Sequence, residues 1–364
     1  MNLFVTGTNN RIFGLDLLRA FAIICVVHGH GKHFIYGTSL DWLGNLHLPH
    51  GVDLFFVLSG YLIGRSIMKY ADQGTDTLLK ATPRFYLRTA LRILPDYLLM
   101  LAVYILVVST GVIPGDMEST PLWRFATLTQ NISTPFMGFY WESWSTPVQW
   151  WFYLCFPLLM LLLHRTFGPK AVPGLVAAVI IGSTLFRISV SEHVNSTFDW
   201  DIWIRKTVFS RTDTIYVGVL AAWFARYHSD GWKRHRWVSL AAGAAVMAAV
   251  LFIPHEVSAT YINIIYPILT AIAIGLMLPA LTSWESAPTA ISRPITALSL
   301  LSYAMFLTNL LACQIIDTHF ADFSHAHGVT TYLCFWLATI LLTLVLYLAV
   351  ERWFMLLRNK VARK

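Results

Sequence analysis

Charge is scarce in this sequence: Asp, Glu, Lys and Arg together make up 12% of its 364 residues, against 56% apolar residues. Soluble domains carry about 25% charged and about 45–50% apolar residues, so the chain lacks the polar surface that a water-soluble enzyme of this length needs. Cysteine is scarce too. Cys25, Cys155, Cys313 and Cys334 all sit in apolar runs, which excludes a disulfide framework and reads as small buried side chains. Internal repeats and low-complexity tracts are absent, which excludes a solenoid or a disordered chain. The expectation is one membrane-embedded domain over residues 1–364 with no appended soluble domain. The surplus of 26 Lys and Arg over 19 Asp and Glu, +7 in all, would suggest nucleic acid in a soluble protein. In a membrane protein it is what cytoplasmic loops bring, so no nucleic-acid partner is expected.

What is present is apolar and aromatic. The chain has 14 Trp, 15 Tyr and 23 Phe, suited to anchoring at two lipid interfaces. A bilayer core takes roughly 20 apolar residues per helix. That window gives about ten runs, near 12–30, 51–68, 93–110, 148–163, 172–187, 208–225, 237–253, 261–281, 297–315 and 331–351. The first is not a cleaved leader, because it holds Asp16 and Arg19 and ends in His28-Gly-His30 without a small-residue cleavage site. With the N-terminus inside, 19 Lys and Arg fall on inner segments and five on outer ones: Lys32, Arg124, Arg187, Arg205 and Lys206. The split predicts an all-α polytopic transmembrane helix bundle with both termini cytoplasmic. The longest outer loop, 111–147, contains Trp123, Trp141 and Trp144 and is expected to fold over the bundle as a lid or re-entrant segment that binds sugar or anchors at the interface.

Ionisable groups at membrane depth cost roughly 2.5–3.5 kcal/mol on insertion scales and need a partner or a task. Arg19 and His30 lie eleven positions apart, which returns to the same helix face within roughly 20° at a separation of about 16 Å. Asp16 shares that stripe; His28 faces elsewhere. Asp16 and Arg19 suit either an ion pair or a functional stripe. The histidines His28, His30, His33, His47 and His50 lack the four-residue spacing of zinc motifs and an accompanying Cys or carboxylate, so no metal is expected. Asp53 opens the second run, where it either caps the helix or stands level with His30 and fixes its tautomer. Gly60 and Gly64 form a small-xxx-small pair for close helix packing. Arg84, Arg88 and Arg92 repeat at four and form one basic stripe if helical, suited to a polyphosphate ligand or to anionic lipid.

Six groups of motifs follow one another in a fixed order. Arg11-Ile-Phe-Gly-Leu-Asp16-Leu-Leu-Arg19 with His30 comes first, then Gly51-Val-Asp53-Leu-Phe-Phe-Val-Leu-Ser59-Gly60, then Arg84-Phe with Arg92-Ile-Leu-Pro95. Trp144-Ser145 with Phe152-Tyr153, Arg211-Thr-Asp213 and Ser302-Tyr303 complete the set. Together they resemble acyltransferase family 3, the integral-membrane O-acyltransferases. The resemblance implies transfer of an acyl group, usually acetyl, from cytoplasmic acyl-CoA to a hydroxyl of a cell-envelope or exported carbohydrate. It places the family's Arg-then-His pair on Arg19 and His30, with His30 as the essential histidine. Three positions depart from the pattern: Gln149 stands where many relatives have Glu, Asn309 where a His is common, and Thr89 where the first of two arginines is usual.

Joined to the residue reading, the resemblance implies that acetyl-CoA is a co-substrate and that no cofactor is tightly bound. Arg84, Arg88, Arg92 and Arg19 would hold the CoA, and His30, Arg19 and Asp53 would form the catalytic group. Asp16, Ser59, Gln149, Tyr153, Asp213 and Asn309 would support the site. His30 would act as base or as acyl carrier. The expected acceptors are an exopolysaccharide, a lipopolysaccharide or a lipid-linked oligosaccharide, and the expected home is the bacterial inner membrane. The rival readings are a transporter or flippase for a lipid-linked glycan, in which the buried charges line a pathway, and a silent relative that only binds.

Overall fold

The computed structural model describes residues 11–253 and 258–363; residues 1–10 and Lys364, the latter counted among the inner charges, lie outside the described residues. The described chain is a helix bundle. Its long helices are α1 (Phe13–Gly31), α2 (Gly51–Ala71), α3 (Thr75–Ser109), α4 (Ser145–Phe167), α5 (Ala171–Val190), α6 (Val208–Tyr227), α7 (Arg236–Phe252), α8 (Tyr266–Ser283), α9 (Thr289–His319), α10 (Gly328–Leu346) and α11 (Arg352–Arg363). Each expected apolar run falls on one of the first ten. Among the described residues, seven helical stretches are long and apolar enough to cross a membrane, one of them the joined stretch Trp141–His193. That stretch breaks into α4 and α5 at Gly168, whose φ of +57° no ordinary side chain adopts without strain. The shorter α7 has 17 residues, and α6 carries the buried Arg211 and Asp213. The chain is a multi-pass, all-α membrane protein.

Close contact at glycines sets the packing. A Cβ at Gly60 of α2 would lie 1.8 Å from the Ile215 carbonyl oxygen of α6, and one at Gly218 of α6 would lie 1.9 Å from that of Val57. The two backbones touch there, as expected of the Gly60/Gly64 pair. Helix α1 is pinned likewise: a Cβ at Gly14 would come 2.1 Å from the Leu281 carbonyl of α8, and one at Gly51 2.1 Å from that of Ala22. With α9 along its other side, α1 runs through the interior, and His30 ends up in its last turn.

The basic stripe is helical, but its helix starts earlier than the apolar run. Helix α3 spans 35 residues and passes through Pro83 and Pro95, whose lost backbone bonds a membrane helix tolerates. The loop 111–147 folds onto the bundle as expected. Asn131 donates to the carbonyls of Trp144 and Lys206 at 2.8 and 2.6 Å, and Gln130 donates to Tyr97 Oη at 3.2 Å. These bonds tie the loop to α3, α4 and the start of α6.

Candidate active site

The His30 imidazole has one hydrogen-bond partner among the described residues. Asn309 on α9 donates its Nδ2 hydrogens to the backbone carbonyls of Met305 and Phe306 at 2.9 and 2.7 Å, which turns Oδ1 towards the imidazole. His30 Nδ1 lies 2.5 Å from that oxygen. An amide oxygen only accepts, so Nδ1 carries the proton and a neutral ring keeps its lone pair on Nε2. Asn309 is fully buried, and this bond stays out of water. His28 turns instead to Tyr332 Oη on α10, 2.9 Å from its Nδ1.

His30 lines a cavity of about 260 Å³ together with Glu142, Trp144, Arg205 and Lys206. A second cavity of about 80 Å³ is lined by Arg19, Arg92, Ser59, Gln149 and Tyr153. Val52 and Phe306 belong to the walls of both, so the cavities adjoin. Gln149 Oε1 accepts from Tyr153 Oη at 2.9 Å and from Ser59 Oγ at 3.4 Å, which leaves Nε2 as the end able to donate. Arg19 shares its carboxylate. Asp16 takes two bonds from Arg11 at 2.8 and 2.5 Å and one from Ser299 at 2.9 Å, whereas Arg19 stands 3.5 Å away. The Asp16–Arg19 pair therefore exists, but Arg11 is the main partner. With Arg92 in the same cavity, two guanidiniums face a small space in which Asp16 supplies little compensation, an arrangement that suits a phosphate or another anion.

Several sequence expectations meet a different geometry. Asp53 does not reach His30: it pairs with Arg211 of α6, both side chains buried. Asp213 pairs with Arg187 at 2.8 Å and lies on neither cavity wall. Arg187, counted as an outer-side charge, is fully buried. A charge inside the bundle needs a carboxylate more than a loop does, and α6 supplies one for α5 and takes one from α2. Of the basic stripe, Arg92 opens into the smaller cavity while Arg84 and Arg88 are exposed along α3. Arg358 on α11 joins them, close enough to feel the charges of Arg88 and Arg92. Helix α11 lies beyond the last apolar run, so no spacing in the sequence connects it with α3.

Sequence reasoning also missed the outer wall of the His30 cavity. Glu142 is buried; Tyr104 donates to its Oε1 at 2.6 Å, and its Oε2 has no partner among the described residues. Asp201 holds Arg205 at 2.6 Å and Lys206 at 2.5 Å. Burial works against charge on Asp201, but Arg205 and Lys206 outweigh it and keep the carboxyl below its usual range. Burial pulls the Lys206 ammonium below its usual value against the attraction of Asp201. The sequence signal was the Asp201/Arg205 spacing of four, beside a run that also holds Arg211. The histidine cluster gains company as well: ligand atoms of His33, Cys313 and Asp317 lie within 4.8 Å of one another. His33 Nδ1 meets the His30 carbonyl and Nε2 meets Asp317, each at 2.9 Å, a geometry that an imidazolium–carboxylate pair satisfies.

A family model described as an acyltransferase domain matches residues 12–352. The O-acetyltransferase OatA of Staphylococcus aureus strain NCTC 8325 is 31% identical over 174 residues, 43% of this chain and 26% of the relative. The same figures hold for OatA of strain COL. Provisionally named O-acetyltransferases of that species match at 27% identity over 226 residues, 57% of this chain. The matched part spans about a third of the length of those curated relatives, 34%. No solved structure matches the chain.

Proposed function

The chain belongs to this acyltransferase family, and from that premise we propose that it is an integral-membrane O-acetyltransferase that moves acetyl from acetyl-CoA to a carbohydrate hydroxyl, with His30 as base. The observation that carries the reading is the His30–Asn309 pair at 2.5 Å in a cavity adjoining the one lined by Arg19 and Arg92. One cavity suits an acceptor hydroxyl, the other an anionic donor.

In this reading the CoA phosphates lie against Arg84, Arg88 and Arg358, and the arm enters past Arg92 and Arg19 so that the thioester reaches the boundary at Val52 and Phe306. The acceptor hydroxyl lies against His30. Nε2 takes its proton as the oxygen attacks the thioester carbonyl carbon; the C–S bond then breaks, and the imidazolium returns the proton to the departing thiolate. The thioester is already activated, so the protein mainly positions two substrates and moves one proton. The Gln149 Nε2 hydrogens are placed to meet a developing negative charge near Arg19, where a Glu would repel it. A two-step route through an acetylated Nε2 uses the same atoms. The charge asymmetry of the loops supports cytoplasmic termini in a bacterial inner membrane, with acetyl-CoA entering from the cytoplasm.

The test is label transfer. Purified protein incubated with acetyl-labelled CoA and a panel of glycans should put label into glycan; a flippase would move glycan without labelling it, and a silent relative would bind CoA and transfer nothing.

A further inference from the structure

The charges around His30 narrow the chemistry of the acceptor. Resting on the acyltransferase reading above, we propose that the His30 cavity takes a carbohydrate bearing an acidic group, carboxylate or phosphate, held by Lys206, Arg205 and Lys32 while its hydroxyl meets His30. Those three cations line the cavity, and among the described residues the one carboxylate on its wall is Glu142. Arg205 and Lys206 share a single counter-charge, Asp201. Burial pushes the Glu142 carboxyl up to about 8, so near neutral pH it adds little negative charge; three cations against Asp201 leave a positive excess among the described residues, and an acidic group on the ligand offsets it. The histidines on the wall, His28, His30 and His50, add no charge when neutral.

Two further features point to a ligand rather than to a solvated face. The cations are held in place: the Arg205 guanidinium lies 5.5 Å from the Trp144 ring centre, and the Lys206 ammonium 5.3 Å from that of Trp141. Such rings fix a cation without neutralising it. Glu142, buried with Oε2 unpartnered among the described residues, offers a hydrogen-bonding group for a sugar hydroxyl in the same cavity. An unpaired buried carboxyl oxygen is costly and marks a place where a polar partner belongs. A neutral sugar would satisfy Glu142 and leave the cationic surplus; an acidic sugar satisfies both.

The test uses the full-length protein in lipid nanodiscs with labelled acetyl-CoA and three acceptors: a uronate-bearing oligosaccharide, its carboxyl-reduced neutral counterpart, and a neutral sugar on polyprenyl phosphate. We expect at least one acidic acceptor to exceed the neutral one in kcat/KM by about tenfold, the size of one charge-assisted hydrogen bond. Which acidic acceptor wins tells whether the charge sits on the glycan or on its lipid carrier. Lys206→Gln should erase that preference through the acceptor KM and leave the acetyl-CoA KM unchanged, with Lys206→Arg restoring it. Should Lys206→Gln fail to fold, Lys32→Gln gives the same reading. Equal use of the neutral acceptor overturns the proposal and leaves the acyltransferase reading standing. A raised acetyl-CoA KM in Lys206→Gln also overturns it, by assigning the cations to the donor. Transfer to no carbohydrate at all overturns the acyltransferase reading and this proposal with it.

Discussion

Asn309 accepts from His30 through an oxygen whose direction is set elsewhere, by two bonds from its own amide nitrogen to the carbonyls of Met305 and Phe306. The tautomer of His30 is thus fixed by the backbone of α9, through an amide that cannot titrate. An Asn at this position does what a properly oriented neutral acceptor must do, without adding a second proton-exchanging group beside the base.

Asn309→Leu should leave the chain folded and lower kcat by roughly 10²-fold, the scale of losing the orientation of a general base, with little change in either KM. Asn309→Asp keeps an acceptor for the Nδ1 proton and should retain more activity than the Leu variant. Steady-state kinetics on both variants check this.

Arg19 and Arg92 share the smaller cavity, so their removal should act on the donor. Arg19→Gln is expected to raise the acetyl-CoA KM by roughly tenfold or more, as loss of a charge-assisted hydrogen bond does. Isothermal titration with CoA on single and double variants should find less than additive losses if both guanidiniums hold the same polar stretch of the CoA arm. Unchanged CoA affinity in Arg19→Gln would make it a structural partner of Asp16.

Asp53 and Arg211 form a buried pair between α2 and α6. Either Asp53→Leu or Arg211→Leu leaves one uncompensated buried charge and should cost about 3–5 kcal/mol, whereas the double substitution should recover much of the loss. Thermal unfolding of detergent-purified variants reads the difference. If Asp53 instead acted on His30, the double variant would regain stability yet show the same collapse of kcat as a His30 variant.

Gly60→Ala puts a Cβ against the Ile215 carbonyl at a place where 1.8 Å is available. Helices α2 and α6 must move apart, at a cost of about 1–3 kcal/mol or more. Gly174→Ala, with open space around it, should be neutral in the same melting assay.

Helix positions were legible because apolar runs have a length and a period, and all ten fell on helices. The stripe from Asp16 through Arg19 to His30 was legible for the same reason, since phase along a single helix is arithmetic. Partners across helices were not. Nothing in the spacing of Asp53 says that α6 lies closer to it than His30 does, and nothing in Asn309 says that its oxygen faces α1. Arg187 looked like a loop charge because it ends an apolar run, yet Asp213 draws it into the bundle. Arg205, Lys206 and Glu142 passed as loop residues because the fold of 111–147 over the bundle, which carries Glu142 to the His30 cavity and binds the Lys206 carbonyl, is held by the side chains of Gln130 and Asn131 rather than by a periodic pattern.

The most direct measurement is acetyl transfer by His30→Ala beside the native protein, with CoA binding and melting temperature recorded on the same samples. The account expects a folded protein that still binds CoA and transfers no label to any glycan. Transfer at the native rate by His30→Ala would contradict it.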